Sequence, residues 1–185
     1  DYLFGVLHHP HRDLILSKFS QLNWKSMVEV GCGAGANLYR IQTQWPGSEI
    51  GGTDVSKDAI KTAAKYLRPR FLMSGVAHDI FLSDHSVDIV LSDMCLIYYG
   101  PLMIRKALRD MMRVARNSLV LCEFHHSSWK ERQLLRLRSG YNAYDYYRLL
   151  DELDCYNIQI EKIPEAMWPG GDPQKTFGCI ISARV

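Results

Sequence analysis

"MVEVGCGAGANLYRI" (residues 27–41) passes from a short apolar run through three glycines into a segment with helical spacing. "MVEV" (27–30) reads as a buried strand, and "ANLYRIQTQW" (36–45) as a helix stopped by Pro46 and Gly47. A strand that turns straight into a helix is the first half of a parallel crossover, and Gly31, Gly33 and Gly35 occupy the turn. Without side chains they permit positive φ and let a ligand approach the backbone. The helix behind them aims its unpaired N–H groups at any anionic part of that ligand.

The same alternation continues along the chain. "EIGGTDV" (49–55) reads as a strand, and "SKDAIKTAAKYL" (56–67) as a helix capped by Ser56. "RFLMSGVA" (70–77) and "SVDIVLSD" (86–93) are further strands, and "PLMIRKALRDMMRVA" (101–115) is an amphipathic helix opened by proline. "NSLVLCEF" (117–124) is the fifth strand. After a helix around "YDYYRLLDEL" (144–153), "CYNIQIEKI" (155–163) and "KTFGCIISARV" (175–185) are separated only by a loop rich in Pro and Gly, which suits an antiparallel turnback. The expectation is an α/β fold, a doubly wound and mostly parallel sheet that closes with an antiparallel hairpin.

At 185 residues the chain reads as one domain, with 1–26 as a helical or lid segment and 27–185 as the core. With 47% apolar and 23% charged residues it has an ordinary globular composition, and no stretch approaches the roughly 18 uninterrupted apolar residues of a membrane span. The first residue is Asp1, so nothing firm follows about a signal peptide. Cys32, Cys95, Cys122, Cys155 and Cys179 are scattered, with no C-x-x-C pair; they read as reduced thiols of a cytoplasmic protein. Net charge is +2, but Arg105 to Arg138 holds nine basic residues against Asp110, Glu123 and Glu131. That excess fits an anionic partner or, more simply, the solvated face of a helix.

Ligands of such sheets settle at the carboxyl ends of the strands. Asp54 ends the second strand, where a carboxylate can accept both hydroxyls of a ribose. Asp79 follows the third strand at the position of an adenine edge, with Ile80 as an apolar surface beside it. The pattern is nucleotide-like without choosing the nucleotide, because "GCGAGA" (31–36) also satisfies the dinucleotide spacing.

The sequence resembles the class I S-adenosylmethionine-dependent methyltransferases, particularly their small-molecule branch. "VEVGCGAG" (28–35) is similar to that family's acidic-x-Gly-x-Gly-x-Gly signature, with Glu29 as the acid; "GTDVS" (52–56), "AHDIFLSDHSVDIVLSDMCLIYY" (77–99) and "LVLCEF" (119–124) resemble its later motifs. The resemblance implies a three-layer Rossmann-like sheet of seven strands with the last antiparallel. It also implies S-adenosylmethionine as cofactor, S-adenosylhomocysteine as product and a small-molecule acceptor. By resemblance Gly31, Cys32, Gly33 and Gly35 cradle the methionine portion and Glu29 meets its ammonium network. Asp54 with Val55 holds the ribose, Asp79 with Ile80 frames the adenine, and Asp93 completes the cofactor set. "SDMCLIYY" (92–99) lacks the Pro-Pro of nucleic-acid amino methyltransferases, and "ARNS" (115–118) replaces the family's Pro-Gly-Gly turn.

Methyl transfer asks for alignment and exclusion of water, with a base only where the acceptor loses a proton. His125, after the fifth strand, and Asp93, closing the fourth, are the candidates for base or acceptor-orienting group, against a reading of His125 and His126 as ordinary loop residues. "HHPH" (8–11) invites a metal, but Pro10 breaks the spacing and no carboxylate cluster accompanies it, so no metal site is expected. Tyr98, Tyr99, Trp129, Tyr141, Tyr144, Tyr146, Tyr147 and Trp168 gather toward one end of the sheet, as pocket or as core. Basic residues among tyrosines also permit RNA contact, which the modest net charge makes secondary. A nicotinamide-linked oxidoreductase, an inactive regulatory module of the same fold and a methyltransferase for RNA or protein stand as alternatives.

Overall fold

The structure, a computed structural model, describes residues 5, 7–168 and 172–185. Seven strands form one sheet: β1 (Ser26–Val30), β2 (Glu49–Asp54), β3 (Phe71–Ser74), β4 (Val87–Asp93), β5 (Ala115–Phe124), β6 (Tyr156–Lys162) and β7 (Gly178–Arg184). Their order is β3-β2-β1-β4-β5-β7-β6, with β7 antiparallel to both of its neighbours and the pairs from β3 to β5 parallel. This is the doubly wound sheet expected from the alternation. The order reverses between β1 and β4, which opens a crevice beside the carboxyl end of β1.

Alternation along β1 shows how the layers divide. Val28 and Val30 face a core closed by α4 (Ile104–Val114) and α6 (Tyr146–Asp151), which contribute Leu108, Met111, Tyr146 and Leu150. Met27 faces the opposite core, with Ile15 and Phe19 of α1 (His11–Ser20), Leu38 and Ile41 of α2 (Ala36–Gln44) and Ala63 of α3 (Lys57–Tyr66). Ile15 and Phe19, four residues apart, lie one turn from each other on a single face of α1 and are wholly buried. That anchorage fixes the helix against the sheet and brings its first residues to the crevice. The expected N-terminal segment is therefore a packed helix from His11 onward; residues 1–4 and 6 lie outside the described residues.

Ser56 caps α3 as expected, its hydroxyl accepting from Ala59 N at 3.2 Å. Three elements differ from the sequence reading. The last strand begins only at Gly178, after a short helix over Gln174–Phe177. β3 is confined to Phe71–Ser74 at the sheet edge, shorter than 70–77. α5 (Trp129–Ser139) is a helix that the hydrophobic period does not reveal, because Leu135 is its one fully buried side chain. Its signals are at the ends: Ser128 caps the start, accepting from Glu131 N, and Gly140 stops it at φ +75°. On α4 the basic residues are not simply solvated, since Arg113 donates to Asp110, Asp84 and the carbonyls of Ile80 and Leu82. Among the described residues no helix is long and apolar enough to cross a membrane.

Candidate functional site

The glycine turn is held from the strand beside it. Gly31 N and Cys32 N both donate to Thr53 O, at 2.7 and 2.9 Å, which locks the end of β1 to the end of β2. Gly33 and Gly35 have φ of +53° and +87°, a conformation that side chains disfavour. Asp54 closes the turn: one carboxylate oxygen accepts from Gly33 N and the other from Ser56 N, each at 2.8 Å. A carboxylate has about four acceptor positions, so both oxygens keep capacity for a ligand's hydroxyls.

Beyond Gly33 there is open space; no atom lies within 4 Å of where its Cβ would stand. This is part of a cavity of about 330 Å³ walled by His11, Arg12, Glu29, Gly31, Cys32, Gly33, Ala34, Ala36, Asp54, Asp93, Met94 and Tyr98. A larger hollow, about 460 Å³, lies at the amino ends of the parallel strands among Lys18, Ser118, Gln159 and Arg184. It has neither a glycine turn nor an acid left without a partner, so the smaller cavity is the candidate.

Glu29 is the cavity's most informative residue. Its Oε1 accepts from Asn37 Nδ2 at 2.7 Å, but Oε2 is buried with no hydrogen-bond partner among the described residues. Such an oxygen costs about 1–3 kcal/mol unless something meets it. Burial pushes the Glu29 carboxyl up to about 8, a rise the Asn37 hydrogen bond opposes and the Asp93 charge assists. Asp93 is the contrast. Burial alone would raise it, but His11, Arg12 and Asn37 hold it well below the usual carboxylate range. His11 Nε2 lies 3.1 and 3.0 Å from its two oxygens, Arg12 Nη1 donates at 2.7 Å and Asn37 Nδ2 at 2.9 Å. Arg12 also donates to Asn37 Oδ1 at 2.6 Å, and Trp168 stacks on His11 with ring centres 4.6 Å apart.

Gly31, Cys32, Gly33, Glu29, Asp54 and Asp93 thus share one cavity, with Gly35 capping the helix behind it. Val55 lies exposed beside Asp54. Asp79 and Ile80 are not brought to that cavity. They border a separate hollow with Phe81, Leu82 and Ser83, where Ile80 is buried and its backbone is held by Asp110 and Arg113. His125 is also apart, its Nδ1 accepting from Tyr146 N at 3.1 Å at the start of α6. Of the aromatic group Tyr98 reaches the cavity wall, whereas Tyr146 is core and Tyr144 donates to Tyr99 O.

His11, Arg12, Asn37 and Met94 are absent from the sequence reading of the site. "HHPH" marked the first, and Asn37, a weak helix former in the first turn of α2, could have been found by asking what it bonds. Met94 has φ +53°, an uncommon conformation for its type, and its N–H donates to Cys122 O at 2.9 Å. Glu123 holds the next turn, its Oε1 accepting from Ser92 Oγ, Cys95 N and Leu96 N.

Residues 27–118 match the model of a family described as a methyltransferase domain. The chain belongs to the class I S-adenosylmethionine-dependent methyltransferases. Trans-aconitate 2-methyltransferase of Afipia carboxidovorans is 33% identical over 70 residues, which are 37% of this methyltransferase and 27% of that relative. The chain thus matches about a quarter of that relative's length. Magnesium protoporphyrin IX methyltransferase from Synechocystis, solved with S-adenosylhomocysteine, shares the fold at a TM-score of 0.69 and 15% identity, over 97% of this chain and 84% of its own. Haemonchus contortus phosphoethanolamine N-methyltransferase 2 does so at 0.72 and 12%, over 94% and 52%.

The residues present fit the family's cofactor. Glu29 Oε2 is an acceptor awaiting a donor, as an ammonium would supply, and the space beyond Gly33 is open to it. A methyl group in that space tests the cradle. Gly33→Ala is expected to cost about 1–2 kcal/mol of stability for its left-handed backbone and to weaken S-adenosylhomocysteine binding severalfold. Urea denaturation and calorimetry read the two effects separately.

Proposed function

We propose that the chain transfers the methyl group of S-adenosylmethionine to a small or medium-sized acceptor. The observation carrying this reading is the unpartnered Oε2 of Glu29, a residue that walls one cavity together with the Gly33 turn and Asp54. In this reading Gly31, Cys32, Gly33 and Gly35 cradle the methionine portion, Glu29 accepts from its ammonium and Asp54 with Val55 takes the ribose. Asp79 with Ile80 frames the adenine from the neighbouring hollow. The bound donor supplies an electrophilic methyl on a sulfonium; the protein's work is to align the acceptor and exclude water. Asp93, ionised and tied to His11, Arg12 and Asn37, sets the wall that an acceptor would meet, and Tyr98 flanks it. His125, whose Nδ1 accepts from Tyr146 N, is with Asp93 the candidate base or acceptor-orienting group. The free cysteines, four of them buried, support a cytoplasmic setting.

Calorimetry with S-adenosylmethionine, S-adenosylhomocysteine and NAD tests the reading. The adenosyl compounds are expected to bind and NAD to bind far more weakly; preferential NAD binding overturns it. Binding is also expected to depend on pH. Glu29 is protonated in the free protein below about 8, whereas pairing with an ammonium requires its anion. Binding therefore releases a proton, and affinity rises with pH by up to about tenfold per unit before levelling near pH 8. Glu29→Gln, which cannot ionise, should bind more weakly at pH 8 and lose that slope.

A further inference from the structure

Of the "HHPH" stretch only His11 reaches the cavity wall, and His9 stands directly behind it. We propose that His9 Nε2 is a proton acceptor for the transfer, held in readiness by Asp93 through His11, and that the methyl acceptor belongs to the class bearing an ionisable O–H or N–H. The inference rests on the donor reading above and adds to it the class of the second substrate.

The arrangement follows from the order of protons along the chain of groups. Asp93 is buried and ionised, so it only accepts, and the nitrogen facing it, His11 Nε2, carries a proton. In the neutral His11 ring the other nitrogen, Nδ1, is then an acceptor. Its partner is His9 Nδ1. That nitrogen must donate, which leaves the lone pair of His9 on Nε2, an atom with no hydrogen-bond partner among the described residues. Charge balance agrees: Arg12, always charged, already offsets Asp93, and Glu29 is uncharged in the free protein. A second cation at His11, whose side chain is 5% exposed, would be uncompensated.

Packing fixes both rings. Pro10 stands between them at the start of α1, and the rings meet edge to face with centres 4.5 Å apart. Trp168 stacks on His11 and presents an edge to His9 at 5.8 Å. His9 is half-buried, one ring outward from the cavity wall. Burial lowers its affinity for a proton, any positive charge on His11 and that of Arg12 lower it further, and Asp93 opposes them. At neutral pH the ring is uncharged and its Nε2 vacant.

The step balances. An electron pair of the acceptor forms the new bond to the methyl carbon, and the carbon–sulfur pair stays with sulfur, which becomes a neutral thioether. The proton leaving the acceptor's O or N passes to His9 Nε2, and the resulting positive charge is shared toward Asp93 through His11. A carboxylate acceptor has no proton to lose and would leave this relay idle, so the relay separates this chain from a carboxylate methyltransferase.

The test reads the histidines directly, by NMR of the full chain carrying ¹⁵N-histidine between pH 5 and 9. Expected are His11 as the Nε2–H tautomer and His9 as the Nδ1–H tautomer, with His9 titrating below its ordinary value of about 6.5. His11→Phe keeps a ring against Trp168 but removes the acceptor, so His9 should revert to the Nε2–H form. A parent His9 already in that form, or a His11 doubly protonated at pH 7.5, overturns the proposal whether or not the variant folds. Transfer is then followed with catechol and trans-aconitate as probe acceptors. His9→Gln should lose at least about 100-fold in transfer to catechol, and the parent rate should fall as pH drops through the His9 titration. Transfer to catechol at the parental rate in His9→Gln, or transfer by the parent to trans-aconitate alone, overturns it. S-adenosylhomocysteine binding is measured alongside. Its absence in the parent strikes the donor reading, while the two tautomers still decide the relay independently of it.

Discussion

Asp93→Ala is expected to cost about 3–5 kcal/mol of folding stability, read as a shift of the urea midpoint at constant slope. The size comes from what the carboxylate leaves behind. Arg12, with a side chain 13% exposed, would keep its charge and lose its counterion; His11 and Asn37 would lose their shared acceptor in the same step. The contribution has a definite pH window. Because the native Asp93 sits well below the usual range, its stabilisation is fully present above the unfolded value of about 3.9. It fades only as pH falls toward the depressed native value. The gap between parent and Asp93→Ala should therefore stay constant from pH 5 to 7 and narrow only in strong acid. A midpoint unchanged by the substitution would mean that α1 is not tied to the sheet through this residue.

The same cluster shows where sequence reading reaches and where it stops. The glycine turn and Asp54 are legible because their requirement is local: a chain that needs positive φ at residues 33 and 35 announces it in its glycines, and the acid follows at the next strand's end. Parallel order and the antiparallel finish are legible for a similar reason, since each crossover leaves its strand and helix periods in order along the chain. Arg12 and His11 are different. They stand 81 and 82 residues from Asp93, and only the burial of Ile15 and Phe19 brings them to it. Nothing in the spacing of residues 8–12 encodes that docking. The loop after β3 shows a milder version of the same effect. Asp79 and Ile80 follow β3 as expected, but Arg113, reaching from α4, fastens the loop so that they edge a hollow of their own. α5 escaped notice because Lys130, Arg132, Arg136 and Arg138 interrupt any apolar stripe, leaving its caps as the only readable marks.

Asp54→Ala is expected to weaken S-adenosylhomocysteine binding by about 1.5–3 kcal/mol, roughly ten- to 150-fold in Kd, if the ribose hydroxyls are held by charge-assisted hydrogen bonds. The structure adds a second route to that loss. Asp54 already holds Gly33 N and Ser56 N, so alanine frees the glycine turn and removes a tie at the start of α3. The two routes separate experimentally. Asp54→Asn keeps the side chain's size and one acceptor oxygen but not the charge. Asn can keep the tie to Gly33 N or the tie to Ser56 N but not both. If pre-organisation of the turn through Gly33 dominates, it should recover part of the affinity; if direct bonds to the hydroxyls dominate, it should recover little. Comparing S-adenosylhomocysteine with its 2′,3′-dideoxy analogue completes the cycle, because the analogue should bind parent and Asp54→Asn alike. Calorimetry at pH 8, where Glu29 is half-ionised in the free protein, keeps the ammonium contribution fixed while Asp54 is varied. Unchanged affinity in Asp54→Ala would remove the ribose assignment and leave the carboxylate as a brace for the glycine turn alone.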